Sequence, residues 1–313
     1  MCTVITLERN GFYFGRNMDI EESFGERVVV APRNYVLKTR YHGELGEHFA
    51  IMGMGIVVDG YPLYADAFNE KGLCMAGLSF PDNVYYFSEQ DENSYNICSF
   101  ELIPFVLSKC ENIKQVKSML ERTRIVDTSF NSSTHPTPLH WIASDKTGSL
   151  VIEPREDGLK IYKNAFGVLT NNPPFDFHKW NMSLYSGVSP NQKPKGAFAD
   201  VPPVSFGIGG VGLAGDFSSP SRFVKAAYLR RVSDMGNDEN EEAKVSHMIS
   251  MLSCVSVPKG AVLDAEGRPH YTVYSSCMNA DAQIYYCKRY HSLSVKACIL
   301  THSKKLGKDL ICL

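Results

Sequence analysis

The 313-residue chain has no cysteine pair at C-x-x-C spacing and no stretch approaching the roughly 18 apolar residues of a membrane helix. It also carries no excess of either charge: the formal charge is -2 and the isoelectric point is near 6.5. A balanced charge leaves no electrostatic footprint for nucleic acid, and the short Lys304-Lys305-Leu306-Gly307-Lys308 run reads as a solvated tail. The nine cysteines are odd in number, which fits poorly with a disulfide framework, so they read as reduced, mostly buried thiols of a cytoplasmic protein. Charges at Glu8 and Arg9 interrupt any leader-like apolar run, and no membrane insertion is expected. P-loop and dinucleotide fingerprints are missing, since Gly207-Ile208-Gly209-Gly210 is followed by no helix-forming run. His135 and His140 lack a third ligand at metal spacing and read as ordinary polar or core histidines, so neither metal nor cofactor is implied.

What is present begins at residue 2. Cys2 directly follows Met1, and removal of Met1 would leave a thiol and a free α-amine on one residue. Near neutral pH an α-amine is partly deprotonated and can take the thiol proton, so nucleophile and base need no separate histidine. A second-position cysteine is also what chance leaves at a frayed terminus, so the rest of the chain must decide.

Thr3 to Glu8 has strand character, Asn10-Gly11 is a type I′ turn signal, and Phe12-Tyr13-Phe14 resumes the strand. With Asn10 and Gly11 as the two loop residues, Glu8 falls opposite Tyr13 and Cys2 opposite Asp19, with Cβ atoms about 5 Å apart. Strict alternation then puts Arg16 opposite Ile5 on the other face, unless a bulge at Gly15 re-aims it.

Further strands are expected at Arg27 to Ala31, Ala50 to Val58, Leu139 to Ser144, Ser149 to Glu153, Leu159 to Tyr162, Thr272 to Ser276, Gln283 to Lys288 and Ser294 to Leu300. Helices are expected at Phe100 to Cys110, Ile113 to Arg122, Ser221 to Val232 and Glu241 to Ser253, with Asn112 and Ser219 as caps and Gln115 completing a box with Asn112. Two helix pairs among many half-buried strands suggest helices covering stacked sheets. No linker is marked, although the Pro/Gly-rich stretch from Ser189 to Gly215 is long enough for a functional or assembly loop.

Several tight polar segments recur along the chain: Gly15-Arg16-Asn17-Met18-Asp19, Asn69-Glu70-Lys71-Gly72, Gly77-Leu78-Ser79-Phe80-Pro81, Thr170-Asn171-Asn172-Pro173 and Ser218-Ser219-Pro220-Ser221-Arg222-Phe223. With Met1-Cys2-Thr3, in this order and at these separations, they resemble the choloylglycine hydrolase family, which contains bile salt hydrolases and penicillin V acylases. The resemblance runs from Cys2 to about Tyr290.

The resemblance implies a single catalytic domain over residues 2–313 with an α+β fold, a four-layer αββα sandwich of two mainly antiparallel sheets. It implies an N-terminal nucleophile hydrolase in which Cys2 attacks an amide carbonyl. By the same likeness Arg16 favours the thiolate, Asp19 orients the amine, Asn171 gives a side-chain N–H to the oxyanion, and Arg222 stands near the nucleophile. A second oxyanion donor would be the backbone N–H of Ser79, where the family usually carries Asn or Tyr, so leaving-group recognition differs at that position.

The implied substrate is a bile salt conjugated to glycine or taurine, seated in an apolar cleft that includes Met18, Ile20 and Ala65, with Phe24, Tyr61 and Phe130 as further candidates. A homotetramer is also implied. Penicillin V or another N-acyl amide or lactone is the alternative substrate, and a ligand-binding relative that keeps Met1 is the alternative of another kind.

Overall fold

The computed structural model describes residues 1–8, 11–192, 200–201, 205–233 and 240–313. Two antiparallel sheets lie face to face. The first runs in the order Val168–Leu169, Cys2–Glu8, Phe12–Ile20, Pro269–Asn279, Ile284–Arg289, Lys296–Ile299, with Val262–Leu263 also on Pro269–Asn279. The second runs Gly158–Lys163, Gly148–Arg155, Leu139–Asp145, Cys74–Ser79, Tyr61–Asn69, Ile51–Val58, Arg27–Ala31, Ile311–Cys312. Helices Ser219–Val232 and Glu241–Ser253 cover the outer face of the first sheet, and Leu102–Lys109 and Ile113–Leu120 cover the second. This is the expected αββα sandwich. Among the described residues no helix is long and apolar enough to cross a membrane.

Alternation along the strands builds the layers. Val4, Phe14, Met52, Phe68 and Ile142 fill the space between the sheets, while Val29, Met75 and Trp141 point the other way onto Phe105 and Leu120 of the outer helices. Asn240 caps Glu241–Ser253 by accepting from the Ala243 N–H at 2.9 Å, and Val245, Met248, Ile249 and Leu252 form its buried stripe.

The N-terminal hairpin departs from the expected register. Glu8 pairs with Phe12 and Cys2 with Met18, so three residues rather than two separate the strands and every partner slips by one. Asn10 lies outside the described residues; Gly11 has φ +124°, which favours glycine. The slip puts Arg16 opposite Val4, on the same face as Cys2 and Met18, with no bulge. Asp19 consequently turns to the opposite face with Thr3 and Asn17, and its N–H bonds the Met1 carbonyl at 2.9 Å.

Gly15 stays in the ladder between Ile5 and Cys277, and its role is steric. A Cβ there would sit 2.7 Å from Met248 Sδ, so the missing side chain lets the helix close onto the sheet. Ser218, not Ser219, is the cap of Ser219–Val232, accepting from the Ser221 N–H. Asn112 caps Ile113–Leu120 as expected, but Gln115 reaches back to the Glu111 N–H rather than closing a box on Asn112.

Strands Tyr61–Asn69 and Cys74–Ser79 were not among the expected ones. Pro62 argues against a strand, yet Asp59 and Gly60, with φ of 51° and 73°, form the two-residue turn between Val58 and Tyr61. That Asp-Gly dipeptide was the usable signal.

Candidate active site

Cys2 is 3% exposed, and its thiol faces the space between the sheets. Arg16 Nη2 stands 3.3 Å from Cys2 Sγ, and Met18 Sδ is 3.6 Å from the same sulfur. The guanidinium is fixed by carbonyls of the facing sheet: Nη2 donates to Gly77 O at 2.8 Å, and Nη1 to Ala65 O. Asp66 Oδ2 lies 3.4 Å from Nη1 and supplies the counter-charge. Both oxygens of Asp66 are held by phenols, with Tyr274 Oη at 2.7 Å and Tyr285 Oη at 2.6 Å. Burial pushes the Asp66 carboxyl up, against the pull of Arg16 and the two hydroxyls. The guanidinium thus sets a fixed positive charge beside the Cys2 sulfur.

On the other side of Cys2, its backbone N–H donates to Asn171 Oδ1 at 2.7 Å. Arg222 Nη2 donates to the same oxygen at 2.8 Å, while Nη1 donates to Cys2 O and, at 2.6 Å, to Thr3 Oγ1. Asn171 Nδ2 gives one N–H to Ser79 O at 2.8 Å, so its amide orientation is dictated by its partners. Ser219, left free by Ser218, braces this loop: its hydroxyl accepts from the Asn171 N–H at 2.8 Å and donates to Thr170 Oγ1 at 2.9 Å.

Asp19 is fully buried and accepts from Thr272 Oγ1 at 2.6 Å through Oδ1. Its Oδ2 has no hydrogen-bond partner and sits 3.8 Å from Arg222 Nη1. Burial raises the Asp19 carboxyl, and Arg222 and Thr272 oppose it. The Met1 ammonium donates to Asp19 O at 2.6 Å, so the N-terminal amine already lies beside this residue.

The four side chains expected around Cys2, those of Arg16, Asp19, Asn171 and Arg222, therefore converge, though Asp19 arrives from the helix side of the sheet. Sequence reasoning missed the supporting set of Asp66, Tyr274, Tyr285, Thr170 and Ser219, whose partners are up to 219 positions away.

A cavity of about 400 Å³ opens over Cys2 and is lined by Arg16, Met18, Ile20, Phe24, Ala65, Ser79 and Phe130, with little polar surface besides. Tyr61 lies instead in a neighbouring cavity of about 590 Å³ that shares Phe100 and Phe130. Among the described residues, Glu21, Asp264 and His270 are grouped closely enough to ligate a metal ion, but Arg268 ion-pairs with both carboxylates.

Residues 2–312 match the family model of linear amide C–N hydrolases, choloylglycine hydrolase family. A bile salt hydrolase/transferase from Lactiplantibacillus plantarum is 41% identical, covering 99% of this chain and 96% of that protein. A conjugated bile acid hydrolase from Lactobacillus gasseri is 36% identical, covering 95% of each. The structure of a conjugated bile acid hydrolase from Clostridium perfringens superposes with a TM-score of 0.92 at 35% identity, over 100% of this chain and 96% of that one. A penicillin V acylase from Agrobacterium tumefaciens shares the fold, with a TM-score of 0.75 at 17% identity. A full-length family match, a full-length structural match and a cysteine thiol held by an arginine at the chain start agree: this chain is an enzyme of the choloylglycine hydrolase family, a linear amide C–N hydrolase.

Proposed function

We propose that the enzyme hydrolyses the amide of glycine- or taurine-conjugated bile salts through a Cys2 thioester. The observation that carries this reading is the meeting of the Cys2 thiol and Arg16 at the floor of a largely apolar cavity, with Ser79 in its wall and Asn171 bonded to Cys2 N and Ser79 O. An apolar wall suits a steroid, and a few polar groups at one end suit the scissile amide.

In this reading Met1 is removed and the Cys2 nitrogen, already at Asn171 Oδ1, becomes the α-amine. Asp19 holds that amine, which takes the thiol proton. The thiolate, favoured by Arg16, adds to the amide carbon, and the new oxyanion takes hydrogen bonds from the second Asn171 Nδ2 hydrogen and the Ser79 backbone N–H. The position of Ser79 supports the second donor. Leu139, across the ladder, gives its N–H to Tyr86 Oη at 2.9 Å, and Ser79 O takes Asn171, so the Ser79 backbone is not spent on Leu139, and Ser79 lines the same cavity as Cys2. The amine returns its proton to the departing glycine or taurine nitrogen. Water activated by the amine then attacks the thioester, releasing the free bile acid and restoring the thiol.

Arg222 anchors the nucleophile's backbone through Cys2 O. Met18, Ile20 and Ala65 belong to the acyl pocket, supported by their place in the cavity wall. A single catalytic domain over residues 2–313, cytoplasmic residence and a homotetramer complete the proposal, supported by the family likeness and by nine free thiols.

Purified protein incubated with glycocholate, taurocholate and penicillin V provides the test, with released amine or 6-aminopenicillanic acid measured alongside the intact mass. Release of glycine or taurine from protein lacking Met1 is expected. Turnover of penicillin V alone would replace the substrate, and no turnover of any of the three would remove the reading.

A further inference from the structure

Two histidines that the reaction scheme does not use lie directly behind the site. His140 and His178 are both fully buried. His140 Nε2 is 2.9 Å from Thr170 O, and His178 Nε2 is 3.0 Å from Asn171 O. A carbonyl can only accept, so both rings carry a hydrogen on Nε2, and consecutive carbonyls of the Asn171 loop are held by ring N–H groups.

Each ring also stacks on a phenylalanine next to a residue of the site. His140 lies flat against Phe80 at 4.2 Å and 5° between planes, and Phe80 follows Ser79. His178 stacks on Phe223 at 4.6 Å and 17°, and Phe223 follows Arg222. Three segments distant in sequence, 79–80, 170–171 and 222–223, thus share one support. Glu153 extends it, with Oε1 accepting from the Phe175 N–H at 2.8 Å and lying 3.5 Å from His140 Nδ1.

The donors proposed for the oxyanion sit on this support. Asn171 Nδ2 spends one hydrogen on Ser79 O, so its remaining hydrogen and the Ser79 N–H point where the loop and the strand end jointly place them. Displacement of the loop by even about 1 Å would misdirect both donors, and errors of that size can cost about 100-fold in rate.

We propose that His140 and His178 are positioning residues that set the oxyanion donors of this enzyme by clamping the Thr170 and Asn171 carbonyls against Phe80 and Phe223. The proposal rests on the hydrolase reading above, in which Asn171 and Ser79 bind the oxyanion.

The test pairs His178→Gln with His178→Asn, and His140→Gln with His140→Asn. A glutamine amide reaches about as far as imidazole Nε2 and can donate to the same carbonyl, whereas an asparagine amide stops short. Two rates are measured on each: kcat and KM for glycocholate, and the pH dependence of Cys2 alkylation by iodoacetamide. Alkylation needs the thiolate but no oxyanion donor, and the amount of alkylatable Cys2 normalises kcat to folded sites.

Each Asn variant should lose about 10- to 100-fold in kcat with KM and the alkylation profile unchanged, and the matching Gln variant should recover most of the loss. Wild-type turnover with Asn variants within twofold of it would overturn the proposal and leave the hydrolase reading intact. So would a parallel fall in kcat and alkylation, or equal loss in the Gln and Asn variants, since either marks general damage rather than donor placement. A wild type that turns over none of the substrates removes the hydrolase reading and this proposal together.

Discussion

Acid should weaken this fold through His178 by an amount the structure lets one work out. Burial lowers the His178 imidazole from 6.5 to about 4, with Arg222 and His140 adding to the shift and the Asn171 carbonyl and Glu153 opposing it. Between those values the unfolded chain binds a proton that the folded chain refuses, so stability falls as pH drops from 6.5 towards 4 and levels off below. The full difference is about 3 kcal/mol, and linkage evaluated at about pH 5 gives about 2 kcal/mol. Equilibrium urea unfolding of the wild type and His178→Gln, each at about pH 7.5 and about pH 5, isolates the effect because other groups titrate alike in both proteins. The wild type should lose about 2 kcal/mol more than the variant on acidification. A difference below about 0.5 kcal/mol would mean that folded His178 takes up a proton by about pH 5, and its lowering by burial would have to be abandoned.

Cys2→Ser should lower turnover by several orders of magnitude with little change in thermal midpoint, because the alcohol is a far weaker acid and nucleophile beside Arg16; near-wild-type kcat would contradict the nucleophile. Asn171→Ala should cost about 100- to 1,000-fold in kcat, the loss of one oxyanion donor, and a change confined to KM would reassign Asn171 to binding. Gly15→Ala should destabilise by about 1 to 3 kcal/mol in urea unfolding, since its Cβ meets Met248 Sδ at 2.7 Å; an unchanged midpoint would show that the helix yields freely.

Much of the architecture was legible locally. The four outer helices and most strands outside the second sheet's centre follow from apolar periodicity and caps, as at Asn112, because those signals are short-range. Tyr61–Asn69 escaped because Pro62 obscured a strand whose turn, Asp59-Gly60, was plain. The hairpin register escaped because one extra loop residue, invisible to a two-residue turn rule, exchanges the faces of the whole strand.

By itself the order of residues determined that a thiol stands at position 2, that Arg16, Asp19, Asn171 and Arg222 recur at the separations of one family, and that the chain alternates strands with helix pairs. Tertiary structure alone decided that Arg16 shares the face of Cys2 while Asp19 approaches from the helices, and that Asp66, Tyr274 and Tyr285 balance the buried guanidinium. It also gathered His140 and His178 behind the Asn171 loop. The reason is that a buried charge or carbonyl must find its partner wherever the fold brings one, and neither spacing nor periodicity records which distant residue that will be.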